Sequence, residues 1–187
     1  MPREPRLSAR YGDRVTESPD PILTHPAVTR VREALTAAGV PGQVIVLDGA
    51  ARTAAQAAAY LGVTVAQIAN SLVFAARATP DAEPEPLLVL TSGGHRVDTA
   101  KVAADLGLHE LGRADADFVR GQTGFAIGGV APVGHATVTG APIRTLVDTA
   151  LAAYQQIWAA GGHPHAVFPT TFDELVRISG GTPAEVA

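Results

Sequence analysis

What most constrains this chain is how short its apolar runs are and how closely they follow one another. The runs at 44–47, 72–74, 87–90, 108–111 and 143–147 are bounded by Gly, Pro, Asp or Ser and read as short strands. Several neighbours are joined by turns too short for a crossover helix, which forces antiparallel pairing. Segments 156–160 and 166–168 flank Gly161-Gly162 and read as a hairpin. Between the strands lie helix signals. Pro26 opens a helix whose Val28, Val31 and Leu35 repeat at helical spacing until Gly39. Thr53 caps an alanine-rich helix that stops at Gly62, and Thr64 with Gln67 forms a capping box for one more turn. Asp98 caps a helix over 99–106, a short helix follows over 115–120, and Thr171 with Glu174 opens a last helix that ends near Gly180. Strands outnumber helices. The expected architecture is a mixed sheet with helices packed against it, in one domain.

Composition narrows the function. Of 187 residues, 47% are apolar and 17% charged, a globular balance, and only 5% are aromatic, so Ala, Val and Leu must build the core. There is no cysteine, which removes disulfides, thiolate metal sites and a cysteine nucleophile and fits a cytoplasmic protein. No apolar run reaches membrane-spanning length. The net charge is −4, whereas a general duplex binder is basic. If the protein meets nucleic acid, it grips a short end through a local patch. Residues 1–23 are polar, rich in arginine and proline, and carry no apolar period, so they are expected to form a tail outside a domain spanning 24–187.

The stretch with most chemical content runs from Ala126 through Gly128, Gly129, Val130, Ala131, Pro132 and Gly134 to His135. It joins apolar residues 125–127 to the β-branched stretch 136–139, both expected as strands. Its glycines free the backbone, and Pro132 stiffens it. Bare N–H groups in such a loop can hold a carbonyl oxygen that is gaining charge; a plain glycine turn explains the same residues. Asp148, just after the 143–147 strand, can cap a helix over 149–154. His163, His165 and His135 complete no metal-ligand set at a familiar spacing. There is no Gly-x-Ser-x-Gly elbow, Walker A lysine or dinucleotide fingerprint, so no metal and no cofactor are expected.

Four segments, in order, carry a family resemblance. They are Gln67-Ile68-Ala69-Asn70-Ser71-Leu72-Val73-Phe74, the loop from Thr123 to Pro132, Leu146-Val147-Asp148, and Phe172-Asp173-Glu174-Leu175. Together they resemble the YbaK/EbsC family, which contains the prolyl-tRNA synthetase editing domain and its free-standing aminoacyl-tRNA deacylase relatives. The similarity runs from about His25 to the C-terminus. It implies an α+β fold: a single domain with a mixed, curved β-sheet packed with helices. The implied activity is hydrolysis of a wrongly attached amino acid from the acceptor end of a tRNA. In the family a Gly-x-x-x-Pro loop borders the active site, matched here by Gly128 and Pro132 with Gly129, Val130 and Ala131 between them. An aspartate later in the chain lines the same site, matched by Asp148. These six residues are the catalytic candidates.

The family has a lysine before its Leu-Val-Phe strand, and this chain has Asn70 there. Asparagine keeps a hydrogen-bond donor but loses the charge. Asn70, Ser71 and His135 are the substrate-binding candidates, and Arg96, Lys101 or Arg144 could supply the missing cation. The departure at Asn70 leaves two readings: a trans-acting deacylase, or a regulatory binding module that keeps the aminoacyl-end pocket without the chemistry. The expected common site would bring Gly128, Gly129, Pro132, Asn70 and Asp148 to one cavity.

Overall fold

The computed structural model describes residues 20–40, 43–137 and 139–187. Residues 1–19 of the expected tail lie outside that range. Residues 20–23 form a turn in which Leu23 N–H donates to Asp20 O (2.9 Å), and Ile22 and Leu23 pack against the core.

Helix α1 (Pro26–Ala37) leads to β1 (Ile45–Val46), α2 (Ala54–Leu61), β2 (Ile68–Arg77) and β3 (Glu85–Ser92). Next come α3 (Thr99–Leu106), β4 (Glu110–Arg113), α4 (Ala116–Thr123) and β5 (Arg144–Asp148). A 3₁₀ turn (Thr149–Ala153), β6 (Ile157–Ala160), β7 (Ala166–Thr170), α5 (Phe172–Ser179) and β8 (Thr182–Ala184) complete the chain. The eight strands form one mixed sheet in the order β1-β7-β6-β2-β3-β5-β8, with β4 also paired to β2. The α+β, single-domain expectation is met. Pairs β2–β3, β2–β4, β6–β7 and β1–β7 are antiparallel, while β2–β6, β3–β5 and β5–β8 are parallel.

The sheet is covered on both faces, and β3 shows how. Leu88 and Leu90 join the cluster built with Val28, Val31 and Leu35 of α1 and Leu175 of α5. Leu87 and Val89, one residue out of step, join the cluster built with Val102 and Ala103 of α3. Alternate side chains of a strand point to opposite faces, so a run apolar at every position is buried twice. The helix caps follow the residue types. Thr53, Asp98, Asp115 and Thr171 each accept a hydrogen bond from a first-turn N–H, and Gly62, Gly107, Gly124 and Gly180 take left-handed conformations at the C-terminal ends.

The structure differs from the sequence expectations in two places. The segments 125–127 and 136–139 are not strands in their described residues. Phe125, Val130, Ala131 and Val133 are buried, but by packing on α1 and the core rather than by a ladder. Ala136 N–H donates to Thr123 O (3.0 Å) and draws the two ends together, so 124–135 is a closed loop with its own apolar filling. Strand β8 is the other difference, since no element was expected after the helix that ends near Gly180. It pairs only with β5, at the sheet edge, where a proline costs no ladder bond.

The feature that positions the site lies in β2. On one side it pairs with β3 along nearly its whole length. On the other, residues 68–69 pair with β6 and residues 74–77 pair with β4. Residues 70–73 therefore have no strand on that edge, and the sheet is split there.

Candidate active site

A cavity of about 270 Å³ opens at the split. Asn70, Ser71 and Leu72 of the bare edge form one wall, and Ile127, Gly128 and Val130 of the 124–135 loop form another. Trp158 and Ala159 of β6, the His163-Pro164 turn, and residues at the start of α2 close the remainder. Such a volume suits a small group with a few polar anchors.

The loop is held from outside the cleft. Arg30 of α1 donates to Gly124 O (2.9 Å) and Gly134 O (3.3 Å), and its guanidinium lies 5.1 Å from the Phe125 ring centre. It thus ties both ends of the loop to one helix. Gly134 packs so closely on α1 that an added Cβ would sit 3.1 Å from the Arg30 and Val31 backbone. His135 Nε2–H donates to Ala131 O (2.8 Å), and burial, acting first, pushes its pKa below the usual 6.5. His135 and Pro132 line a different depression, behind the loop. The structure therefore places His135 as a brace and not at the cleft.

Within the loop, Gly129 N–H donates to Ala126 O (3.0 Å) and closes a turn, so this amide is already used. The amides of Gly128, Val130 and Ala131 form no backbone hydrogen bond among the described residues. Gly128 sits at φ +89°, a conformation that suits glycine, and faces the cleft. Gly129 serves packing: an added Cβ would lie 3.0 Å from His163 Cα and 3.2 Å from the Gly162 carbonyl. Its bareness lets the loop dock on the Gly162-His163 turn, not on a substrate.

Asp148 lies elsewhere. It is 1% exposed and accepts from Thr91 Oγ1 (3.1 Å), Ser92 N–H (3.0 Å), Ala150 N–H (3.0 Å) and His95 Nδ1–H (2.9 Å). It borders a separate depression with His95 and the C-terminal residues. Its link to the cleft is indirect, because Thr91 pairs with Asn70 across β2 and β3. The expected common cavity is thus corrected. Gly128, Val130, Asn70 and Ser71 share it, while Gly129, Ala131, Pro132, Asp148 and His135 stand behind or beside it. A four-donor shell explains the aspartate's position, since a buried carboxylate must be paired.

The cleft contains the binding candidate Ser71 and also residues that sequence reasoning missed, Trp158 among them. Ser71 Oγ and Trp158 Nε1 are buried and have no hydrogen-bond partner. Buried orphans of this kind are rare and cluster where a fold serves something other than its own stability. His163 Nδ1 accepts from His165 N–H (3.2 Å), as a neutral imidazole does. Its pKa lies below the usual value, first through desolvation and then through repulsion from His25 and His165. The three imidazoles adjoin, at 5.1 Å and 5.5 Å between ring centres, but no group of three or more His, Asp or Glu is placed to hold a metal among the described residues. The His163-Pro164-His165 run was a visible signal; Trp158 and the start of α2 gave none. Among the described residues no helix is long and apolar enough to cross a membrane.

Residues 48–178 match the aminoacyl-tRNA editing domain family. The chain belongs to that family. The match takes in the whole cleft and supports a deacylase-type role for this editing domain. A crystal structure provisionally described as a trans-editing enzyme for prolyl-tRNA synthetase is 37% identical, with 87% of this chain and 97% of that one covered and a TM-score of 0.74. A scaffold used for computational epitope grafting is 36% identical over 86% and 97%, also with a TM-score of 0.74. The hypothetical protein APE2540 is 27% identical over 84% and 98%, with a TM-score of 0.73. No curated protein matches the chain at a significant level. The editing domain here is of the YbaK type that the four sequence segments resemble.

Proposed function

We propose that this editing domain is a trans-acting deacylase that hydrolyses the ester joining a wrong amino acid to the terminal ribose of a tRNA. The observation that carries the reading is the split edge of β2, where Asn70 and the Gly128 turn face one small cavity. The aminoacyl group enters the cavity. Its carbonyl oxygen lies against the free amides of the loop, with Gly128 and Val130 nearest the opening. As water attacks, charge builds on that oxygen, and each fixed donor there is worth on the order of 100-fold in rate. The ester C–O bond then breaks, and the ribose oxygen leaves with a proton. Esters are activated enough that no covalent nucleophile is needed. A ribose hydroxyl of the substrate helps place the water. Asn70 orients polar groups of the aminoacyl end without adding charge.

Amino acids are selected by size. The alanines around the cleft leave room for a small side chain, and a misfit of one methylene is worth about 1–3 kcal/mol. The test is a panel of mischarged tRNAs offered to the purified chain. Release of one or more small amino acids well above the spontaneous rate is expected, falling at least tenfold in Asn70→Ala with the melting temperature unchanged. Asparagine where the family has lysine favours a second reading, a binding module without chemistry. That reading takes over if the wild-type chain binds the charged ends and releases nothing.

A further inference from the structure

The cation that the resemblance places at position 70 is missing, and none of the three sequence candidates replaces it. Lys101 bonds to Asp105 (3.3 Å) and to the Glu185 carbonyl. Arg144 borders a depression with Glu83 and Glu85 on another part of the surface. Arg96 is exposed after β3 and does not line the cleft. Among the residues lining the cleft, Arg52 is the single arginine or lysine.

Arg52 is built for a contact it does not make within the chain. Its backbone is pinned on both sides. Ala51 N–H donates to Pro164 O (2.7 Å), Arg52 N–H donates to Gln56 Oε1 (2.9 Å), and Thr53 caps α2 by accepting from Gln56 N–H (3.2 Å). Gly128 lies directly against it, since a Cβ there would be 3.8 Å from Arg52 Cα. Yet the residue is exposed. The ion pairs among the described residues are Arg77–Glu110, His95–Asp148, Lys101–Asp105 and Arg177–Glu174, and Arg52 joins none of them. A planar guanidinium held at the rim on a fixed backbone, beside the loop that would take the carbonyl, fits an oxyanion that arrives with the substrate and offers two oxygens to its fork. The carbonyl end of the substrate belongs inside, at the loop amides. What remains at the rim is the sugar-phosphate of the terminal nucleotide.

We infer that Arg52 is the phosphate anchor of this site: it binds the phosphate 5′ to the ribose carrying the aminoacyl group. The inference rests on the deacylase reading for the substrate's orientation. It also accounts for the neutral residue at position 70. The positive charge sits on the α2 side of the cleft, at its rim, and not on the β2 wall.

The test uses the whole chain and two non-hydrolysable probes, 3′-alanylamido-adenosine with and without a 5′-phosphate. Wild type should bind the phosphorylated probe about tenfold more tightly than the other. Arg52→Ala should abolish that difference while binding the unphosphorylated probe as wild type does, and Arg52→Lys should restore part of it. With mischarged tRNA, Arg52→Ala should raise KM about tenfold and leave kcat within threefold. Its salt dependence of binding should flatten by about one phosphate contact. An equal phosphate preference in wild type and Arg52→Ala overturns the inference, as does a fall in kcat at constant KM, which would put the guanidinium on the reacting carbonyl. If wild type releases no amino acid but keeps an Arg52-dependent phosphate preference, the anchor stands and the deacylase reading falls. If wild type binds neither probe and releases nothing, both fall.

Discussion

Two polar regions of this molecule lie two strands apart and are finished in opposite ways. At the end of β5, Asp148 accepts four hydrogen bonds, and Thr91, Ser92 and His95 are all drawn into its shell. At the split in β2, Ser71 Oγ and Trp158 Nε1 have no partner, and loop amides are left open beside them. A satisfied network in a low-dielectric interior holds strands in register, whereas a buried polar group without a partner costs the fold stability. The difference separates a residue whose bonds hold the fold from residues that line the cleft, although both regions belong to the same family motifs.

The comparison breaks most visibly at Asp148. Replacing it by alanine strands three donors in the interior and unpairs His95, so Asp148→Ala should lose about 3–5 kcal/mol in a denaturant melt. Activity should fall only as the folded fraction falls. A tenfold slower enzyme with an unchanged melt would return Asp148 to the chemistry, the role the family resemblance implies. Gly129→Ala should have a smaller and mixed effect. The methyl meets the His163 backbone at 3.0 Å and pushes the loop off its neighbour, so about 1–2 kcal/mol of stability and the deacylation rate should decline together. A rate loss with full stability would mean that the methyl obstructs substrate instead.

The smallest effect belongs to His135. Its pKa is lowered in the folded state, so between 6.5 and that lower value the unfolded chain binds a proton that the folded chain refuses. Stability should therefore drop as pH falls below 6.5 and level off once the folded pKa is passed. His135→Gln, which keeps a donor for Ala131 O, should flatten that part of the profile in melts taken from pH 7 to pH 5. An unaltered profile would assign the acid sensitivity to other groups.

Local signals were legible in the sequence and distant pairings were not. The caps at Thr53, Asp98 and Thr171 and the glycine stops depend on residues within one turn, and they stand where the pattern puts them. The β6–β7 hairpin is equally local. Strand β2 runs Ile68–Arg77, far beyond the 72–74 core, because three other strands hold it. Nothing within that stretch announces those partners. The loop at 124–135 looks like strand flanks because Phe125 and Val133 are buried, and only α1, about a hundred residues away, reveals what buries them. The site follows the same rule. Gly128 and Asn70 were found through their motifs, while Arg52, Trp158 and His163 reach the cleft from segments that share no pattern with it.

The bare edge of β2 carries one more consequence. Unpaired strand is sticky, since its free N–H and C=O groups can recruit a strand from another chain and start an aggregate. In this fold the Gly128 loop, clamped by Arg30, stands across the cavity from that edge. The lip of the pocket is thus also a guard against self-association. Loosening the loop would take away the neighbour that stands between that edge and another chain.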